Sequence, residues 1–299
     1  MKFEKPALTF REQVALLTKR GMLGDEEVMI RRLSVVNYYR LAGYWHHRKL
    51  ADDSFQPGTH FNVVWDQYVF DRKLRLLMID AIERIEIALR TRFSYEHSHA
   101  HGTFGYVEDP ASLPKLFGER RSALFESIER EVSRSRELFV EHFRNTYGDS
   151  HRLPPLWVVS EVLSMGTMVQ LFQSSSNRVK AAVASMFEVS AEALRSWLWS
   201  LNEVRNVAAH HGRLWNRQLG NGPMIPPIRF HPAWHQPRFA NDRLYAVLAV
   251  CAHCLPRIAP HSGWRMRVRE LIRENPQMPI RNMGFPIDWD TSSLWTAAS

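Results

Sequence analysis

Arg205, Asn206, His210 and His211 stand within one run, LNEVRNVAAHHGRLWNR, residues 201–217. Their types suit the metal-free cutting of RNA. In that chemistry a base takes the proton from a ribose 2′-hydroxyl, and the oxygen attacks the neighbouring phosphate. A cation steadies the charge that builds there, and an acid protonates the departing 5′-oxygen. Histidine suits the proton steps because its ordinary pKa lies near neutrality. Arginine suits the phosphate because it stays charged and donates a planar fork. On this reading His210 transfers the proton, Arg205 holds the scissile phosphate, Asn206 orients one of them, and His211 is a second proton donor. No cofactor and no metal is called for.

Spacing alone does not decide the matter. The chain has 32 arginines and 14 histidines, so chance supplies the same spacing elsewhere. Arg92 with His97, Arg136 with His142, Arg144 with His151, and Arg229 with His235 all qualify. The segment RNTYGDSH around Arg144 carries Gly148 and reads as a loop. What singles out Arg205 is context: Leu194, Trp197, Leu198 and Leu201 precede it at helical spacing, so a core anchors the segment. On a straight helix Asn206 and His210 share a face. Arg205 and His210 lie about 140° apart round the axis. They cooperate only through arginine's reach, a break at the helix end, or a second copy of the chain across a two-fold axis. Gly212 offers such a break just after His211. The competing reading is that Arg205 and His210 merely cap a buried helix end, where a cation is stabilising anyway.

The elements that must position these residues read as helices. LTFREQVALLTKRG opens with a capping box from Thr9 to Glu12, puts Phe10, Val14 and Leu17 on one face, and stops at Gly21. Asp25 starts a second helix running to about Leu33. VVNYYRLAGYWHHR is dense in aromatics and short of a clear period. Tyr38, Tyr39 or Tyr44 there could stack bases with Arg40 on a phosphate, or the rings could fill a core. The strongest helix covers residues 61–98. Leu74, Leu77, Met78, Ala81, Ile82, Ile85, Ala88 and Leu89 line one side, and Asp80 with Arg84 and Glu86 with Arg90 pair at four apart. That polar face reads as solvated and laced with ion pairs; the functional alternative puts Glu83, Arg84 or Glu86 in the motif's cleft. Further helices are predicted over 117–146, from Pro155 through LWVVSEVLSMGTMVQLF, and over 177–187, 190–211, 241–255 and 262–274. The tail from PIRNMGF onward reads as extended and held by Trp289 and Trp295. No repeat and almost no period-two pattern appears, so the fold class is all-α.

Composition narrows the partners. The net charge of +8 favours an acidic partner, nucleic acid or an anionic membrane surface. Arginine outnumbers lysine 32 to 7, which suits phosphate, although coding bias alone would produce it. No apolar run is long enough to span a membrane, the start lacks a leader's apolar stretch, and a cytoplasmic home is expected. Cys251 and Cys254 read as buried free thiols rather than half a zinc site. His97, His99 and His101 in EHSHAHG read as a fraying helix end. No phosphate-binding loop, dinucleotide fingerprint or nucleophile elbow is present.

Seven ordered stretches carry a resemblance: LTFREQVALLTKRGML, VVNYYRLAGYW, FDRKLRLLMIDAIERIEIALRTRFSY, FGYVED, LPPLWVVSEVLSMGTM, LWSLNEVRNVAAHHGRLWNR and MGFPIDW. In these the chain resembles the abortive-infection proteins of the AbiD/AbiF type, phage-defence proteins of the HEPN superfamily. The resemblance implies a HEPN-like helical bundle, a homodimer, and a metal-independent endoribonuclease that leaves 2′,3′-cyclic phosphates. It puts the family's Arg-x4-6-His motif on Arg205 and His210. It also implies an RNA substrate and a neutralising partner, either a small non-coding RNA or a protein antitoxin. Some HEPN proteins bind RNA without cutting it, so a non-catalytic RNA-binding or partner-binding module stays open. Tyr38, Arg40, Arg84, Glu86 and Arg213 are the candidate RNA contacts. The expected division is an N-terminal helical extension over 1–57, a core over 58–256, and a C-terminal helix and tail over 257–299.

Overall fold

The computed structural model describes residues 6–296, together with Lys2 and Glu4. Its elements are helices, with isolated bridges but no named strand among the described residues. The all-α expectation holds. In chain order the helices are α1 (Phe10–Lys19), α2 (Glu26–Val35), α3 (Tyr38–Trp45), α4 (Phe61–His101), α5 (Gly105–Glu108), α6 (Gly118–Arg134), α7 (Leu138–Tyr147), α8 (Leu156–Val162), α9 (Met165–Ser174), α10 (Asn177–Met186), α11 (Ala191–Ala209), α12 (Leu244–Ile258), α13 (Trp264–Arg273) and α14 (Ser293–Thr296). They fall into two compact units. One runs to Arg75 and takes in Leu271–Met278; the other takes Leu76–Glu270 and the chain from Pro279.

In the first unit the capping box on α1 is present in both directions. Thr9 Oγ1 accepts from the Glu12 amide at 3.3 Å, and Glu12 Oε2 accepts from the Thr9 amide at 2.7 Å. Gly21, at φ +91°, ends the turn that follows. Val14 and Leu17 are buried as expected, but Phe10, on the first turn of the same face, is 44% exposed. The aromatic stretch proves helical. Asn37 caps α3 by accepting from the Tyr39 amide at 2.8 Å, and Leu41, Tyr44 and Trp45 form its buried face. Tyr44 is therefore a core residue and not a base-stacking platform. Its hydroxyl donates to Asp71 Oδ2 at 2.6 Å, Asp71 pairs with Arg75, and burial pushes the phenol's pKa up.

The second unit holds the site. α12 is buried nearly all round, as its composition requires, and so has no solvent face. It carries Cys251 and Cys254 as buried free thiols, whose pKa values burial raises. α9 packs on α11, and α10 and α12 also flank α11. Two expected helices are split. The 117–146 stretch breaks between Arg134 and Leu138, and the apolar one after Pro155 breaks between Val162 and Met165. Arg144 lies in α7, not in a loop, and donates to the Val132 carbonyl of α6. The tail is not extended: it folds into short turns and α14, with Trp289 and Trp295 buried and the Trp295 ring donating to the Tyr245 hydroxyl at 3.2 Å.

The histidines that close α4 do not fray; the helix continues to His101 and stops at Gly102, φ +83°. His97 is fully buried, and neither ring nitrogen finds a partner among the described residues. His253 is buried on α12, accepting from the Trp234 ring at 3.3 Å and donating to the Phe187 carbonyl at 2.8 Å. Burial is the first cause that depresses both imidazoles, to about 4. Each is neutral when folded and takes a proton more readily when unfolded. Stability is thus complete above the unfolded histidine value and is lost as pH falls from about 6.5 toward 4. Urea unfolding at pH 7 and pH 5 should differ by on the order of 1–2 kcal/mol per histidine. A His97→Leu variant should lose its share of that difference; an unchanged pH slope would contradict the assignment.

Candidate active site

α11 is set by its two ends and one stripe. Ser190 caps its start, accepting from the Ala193 amide at 3.1 Å. Leu194, Trp197, Leu198, Leu201 and Val204 recur at three and four and are buried. The polar side also works to fix the chain. Glu203 accepts from the Gly220 and Asn221 amides, both at 2.9 Å, and the Trp197 ring donates to the Met224 carbonyl at 2.8 Å. The chain that leaves the helix is therefore tied back along it.

The helix ends at His210, which has φ −88° and ψ 17° and donates its amide to the Asn206 carbonyl at 3.1 Å. His211 then turns left-handed at φ +57°. Its amide donates to the Ala208 carbonyl at 3.0 Å, and the Gly212 amide donates to the Val207 carbonyl at 2.7 Å. This pair of bonds is a Schellman cap. The expected break is present, but its left-handed residue is His211 rather than Gly212. Gly212 is needed for another reason: a Cβ there would meet Val207 Cγ1 at 2.9 Å and the Val207 carbonyl at 3.0 Å. The cap projects two adjacent histidines, both exposed, from the end of an anchored helix. Among the described residues no hydrogen bond engages the His210 ring.

Arg205 lies one turn back, its side chain 40% exposed, with Nε 4.0 Å from Glu86 Oε2. Its Nη1 is 3.5 Å from Asn206 Oδ1. Asn206 thus meets Arg205 and not His210, and no hydrogen bond joins Arg205 to His210. Glu86 belongs to α4 and forms a close ion pair with Arg90, both 8% exposed. Arg90 in turn donates to the Ser160 carbonyl and, at 2.7 Å, to the Leu163 carbonyl. The expected solvated face is therefore only half right. Asp80 and Arg84 pair at 3.0 Å in the open, where Asp80 also meets Arg267 at 2.6 Å. Glu86 and Arg90 are buried because they fall on the apolar stripe: Ile82, Glu86, Arg90 and Phe93 are spaced four, four and three.

The remaining candidates scatter. Arg84 is bound to Asp80 and stands apart from the Glu86 pair; Glu83 is exposed. Arg213 follows the cap, half-buried, its carbonyl accepting from Arg217 Nε at 3.0 Å. Tyr38 and Arg40 belong to the first unit, where the Tyr38 hydroxyl accepts from Arg20 at 3.4 Å and Arg40 is exposed. Sequence reasoning missed Arg90's two carbonyl acceptors, which lie 70 and 73 residues away and carry no local signal.

Three of the four competing pairs are committed elsewhere. Arg92 pairs with Glu96 at 2.8 Å while His97 is buried. Arg144 is spent on the Val132 carbonyl. Arg229 lies over the Phe230 ring at 4.4 Å, and His235 meets the Pro226 carbonyl at 2.7 Å. Among the described residues no three His, Cys, Asp or Glu side chains are grouped to hold a metal ion.

The family model described as "Abi-like protein" matches residues 31–216, more than half of the chain and the whole of the stretch from Glu86 to His211. No curated protein and no solved structure matches. No helix among the described residues is long and apolar enough to cross a membrane.

Two substitutions test the geometry. A left-handed non-glycine residue costs about 1 kcal/mol. His211→Gly should therefore hold or raise stability by up to roughly that amount, read by urea unfolding; a clear loss would show that the imidazole is a structural fastener. Arg90→Leu should cost about 3 kcal/mol or more, because it strands the Glu86 carboxylate and two carbonyls. An unchanged unfolding midpoint would remove Arg90 from any supporting role.

Proposed function

The chain belongs to the Abi-like protein family, and on that premise we propose that it is a phage-defence protein that cuts RNA, without a metal, at the end of α11. The observation that carries the reading is the cap itself. An arginine held from below by a buried carboxylate stands one turn before two exposed histidines, and the ring of His210 has no hydrogen-bond partner among the described residues. Arg205 takes the scissile phosphate. Glu86 and Asn206 set the angle of its guanidinium. His210 moves the proton between the 2′-hydroxyl and the leaving 5′-oxygen, with His211 as the second group. The charge around Arg205 favours an anion: Glu86 is shared between Arg90 and Arg205, so the three groups sum to one positive charge. The strand would close with a 2′,3′-cyclic phosphate.

Arg205 and His210 do not touch within one chain. A two-fold pair of chains, each lending part of the site, answers this and belongs to the proposal, as does a silencing partner, a small RNA or a protein antitoxin. The same observation favours a second reading, in which the motif holds RNA or a partner without cutting.

Incubation of the purified chain with a mixed RNA pool in EDTA separates them. The wild type should yield fragments ending in cyclic phosphate, and His210→Ala should lower the rate by roughly 10²- to 10⁴-fold. An intact pool, with salt-sensitive binding that weakens in Arg205→Ala, would replace the nuclease with the binding module.

A further inference from the structure

A second concentration of positive charge lies in the same unit, at the start of α10. Lys180, on the first turn of that helix, is 7% exposed and forms no ion pair or side-chain hydrogen bond with a carboxylate, carbonyl or hydroxyl among the described residues. The charged groups that act on its ammonium are Lys115 and, from α11, Arg195. Both are cations. Burial first, and these neighbours after it, hold the Lys180 pKa below the ordinary lysine value. A buried ammonium usually has a carboxylate or a set of carbonyls against it. Here it has another ammonium.

The helix end points the same way. Ser176 is the cap residue of α10, yet its side chain caps nothing. Its hydroxyl is engaged by His101 Nε2 at 3.2 Å, while His101 Nδ1 meets Asp109 Oδ2 at 2.7 Å. The Ser176 amide donates to the Ser112 carbonyl at 3.1 Å. These bonds clamp the segment that leads to Lys115 against the start of α10. They also leave the amides of Asn177, Arg178 and Val179 without an acceptor among the described residues. Helical side chains lean toward the N-terminus, so Lys180 reaches back over those amides. Lys115 also lines a cleft of about 520 Å³ with Arg120, Gln170, Gln173 and Ser174, and no carboxylate is among its lining residues.

We infer that the N-terminus of α10, with Lys115 and Lys180, is a binding site for a terminal phosphate, a phosphate monoester carrying close to two negative charges. Two ammonium groups, a nearby guanidinium and a helix N-terminus match a dianion better than the single charge of a backbone diester. Two sources present that chemistry: a free mononucleotide, or the 5′-phosphorylated end of an RNA strand bound elsewhere on the chain. The inference does not depend on cleavage at Arg205.

The test is binding in chloride buffer with wild type, Lys180→Met and Lys115→Gln. Inorganic phosphate and uridine 5′-monophosphate should raise the wild-type melting temperature and do so less in either variant. Lys180→Met should melt higher than wild type when phosphate is absent, since the crowded charge is gone. A 5′-phosphorylated RNA oligonucleotide should bind the wild type about tenfold more tightly than its 5′-hydroxyl twin, the worth of one charge-assisted contact, and the two should bind Lys180→Met alike. Preference for the phosphorylated strand assigns the RNA end; response to the mononucleotide with no strand preference assigns the free nucleotide. A phosphate response equal to that of chloride, or unchanged in both variants, overturns the site.

Discussion

The Arg90 guanidinium is the contact on which the site's surroundings rest. α8 ends at Val162 and α9 begins at Met165, so the carbonyls at the end of one helix and the amides at the start of the next both need partners. Arg90 covers the first set through Ser160 and Leu163. Glu131, from α6, covers the second, accepting from the Ser164 amide and, at 2.7 Å, from the Thr167 hydroxyl. A cation thus sits at a helix C-terminus and an anion at a helix N-terminus, each on the favoured side of the dipole. Two charged side chains hold the break in an otherwise apolar hairpin, and α9 is then free to turn against α11.

Glu86 links this break to the exposed motif. Its carboxylate neutralises Arg90, which could not otherwise be buried, and its second oxygen lies 4.0 Å from Arg205. The contact is long and partly wetted, so it contributes little to stability. Its worth lies in orientation. Arg205 has four rotatable bonds and an exposed head, and a fixed carboxylate beneath it narrows the directions that head samples. The same carboxylate is too far and too shared to quench the charge.

How much of this could be read beforehand follows from the range of each interaction. Local signals were legible: the Thr9 box, the buried run of α12, and the stripe Leu194, Trp197, Leu198 and Leu201 that anchors the motif. α3 was legible in principle, since Asn37 is a capping type and Leu41, Tyr44 and Trp45 fall at helical spacing; its aromatic density hid the period. The α8–α9 break was not legible from apolar pattern, because its partners Arg90 and Glu131 lie 73 and 33 residues from the groups they hold. Only Ser164, which caps α9 through the Thr167 amide, gave a local hint. The burial of Glu86 and Arg90 was readable from their place on the stripe, against the habit of assigning ion pairs to the surface.

The end of α11 shows where local rules and the chain part. The C-terminal rule expects glycine at the left-handed position, and the sequence holds one, a residue late. Gly212 is fixed there by Val207, whose Cγ1 and carbonyl leave no room for a Cβ. His211 has no such steric reason: the left-handed position would suit glycine better by about 1 kcal/mol. Strain of this kind persists where the surroundings over-determine it and gathers at sites that work. The Schellman bonds from His211 and Gly212, and the tie of Glu203 to the returning loop, supply that over-determination. The strained turn leaves two adjacent imidazoles, His210 and His211, exposed at the helix end. A cap built for stability alone would put glycine at both positions.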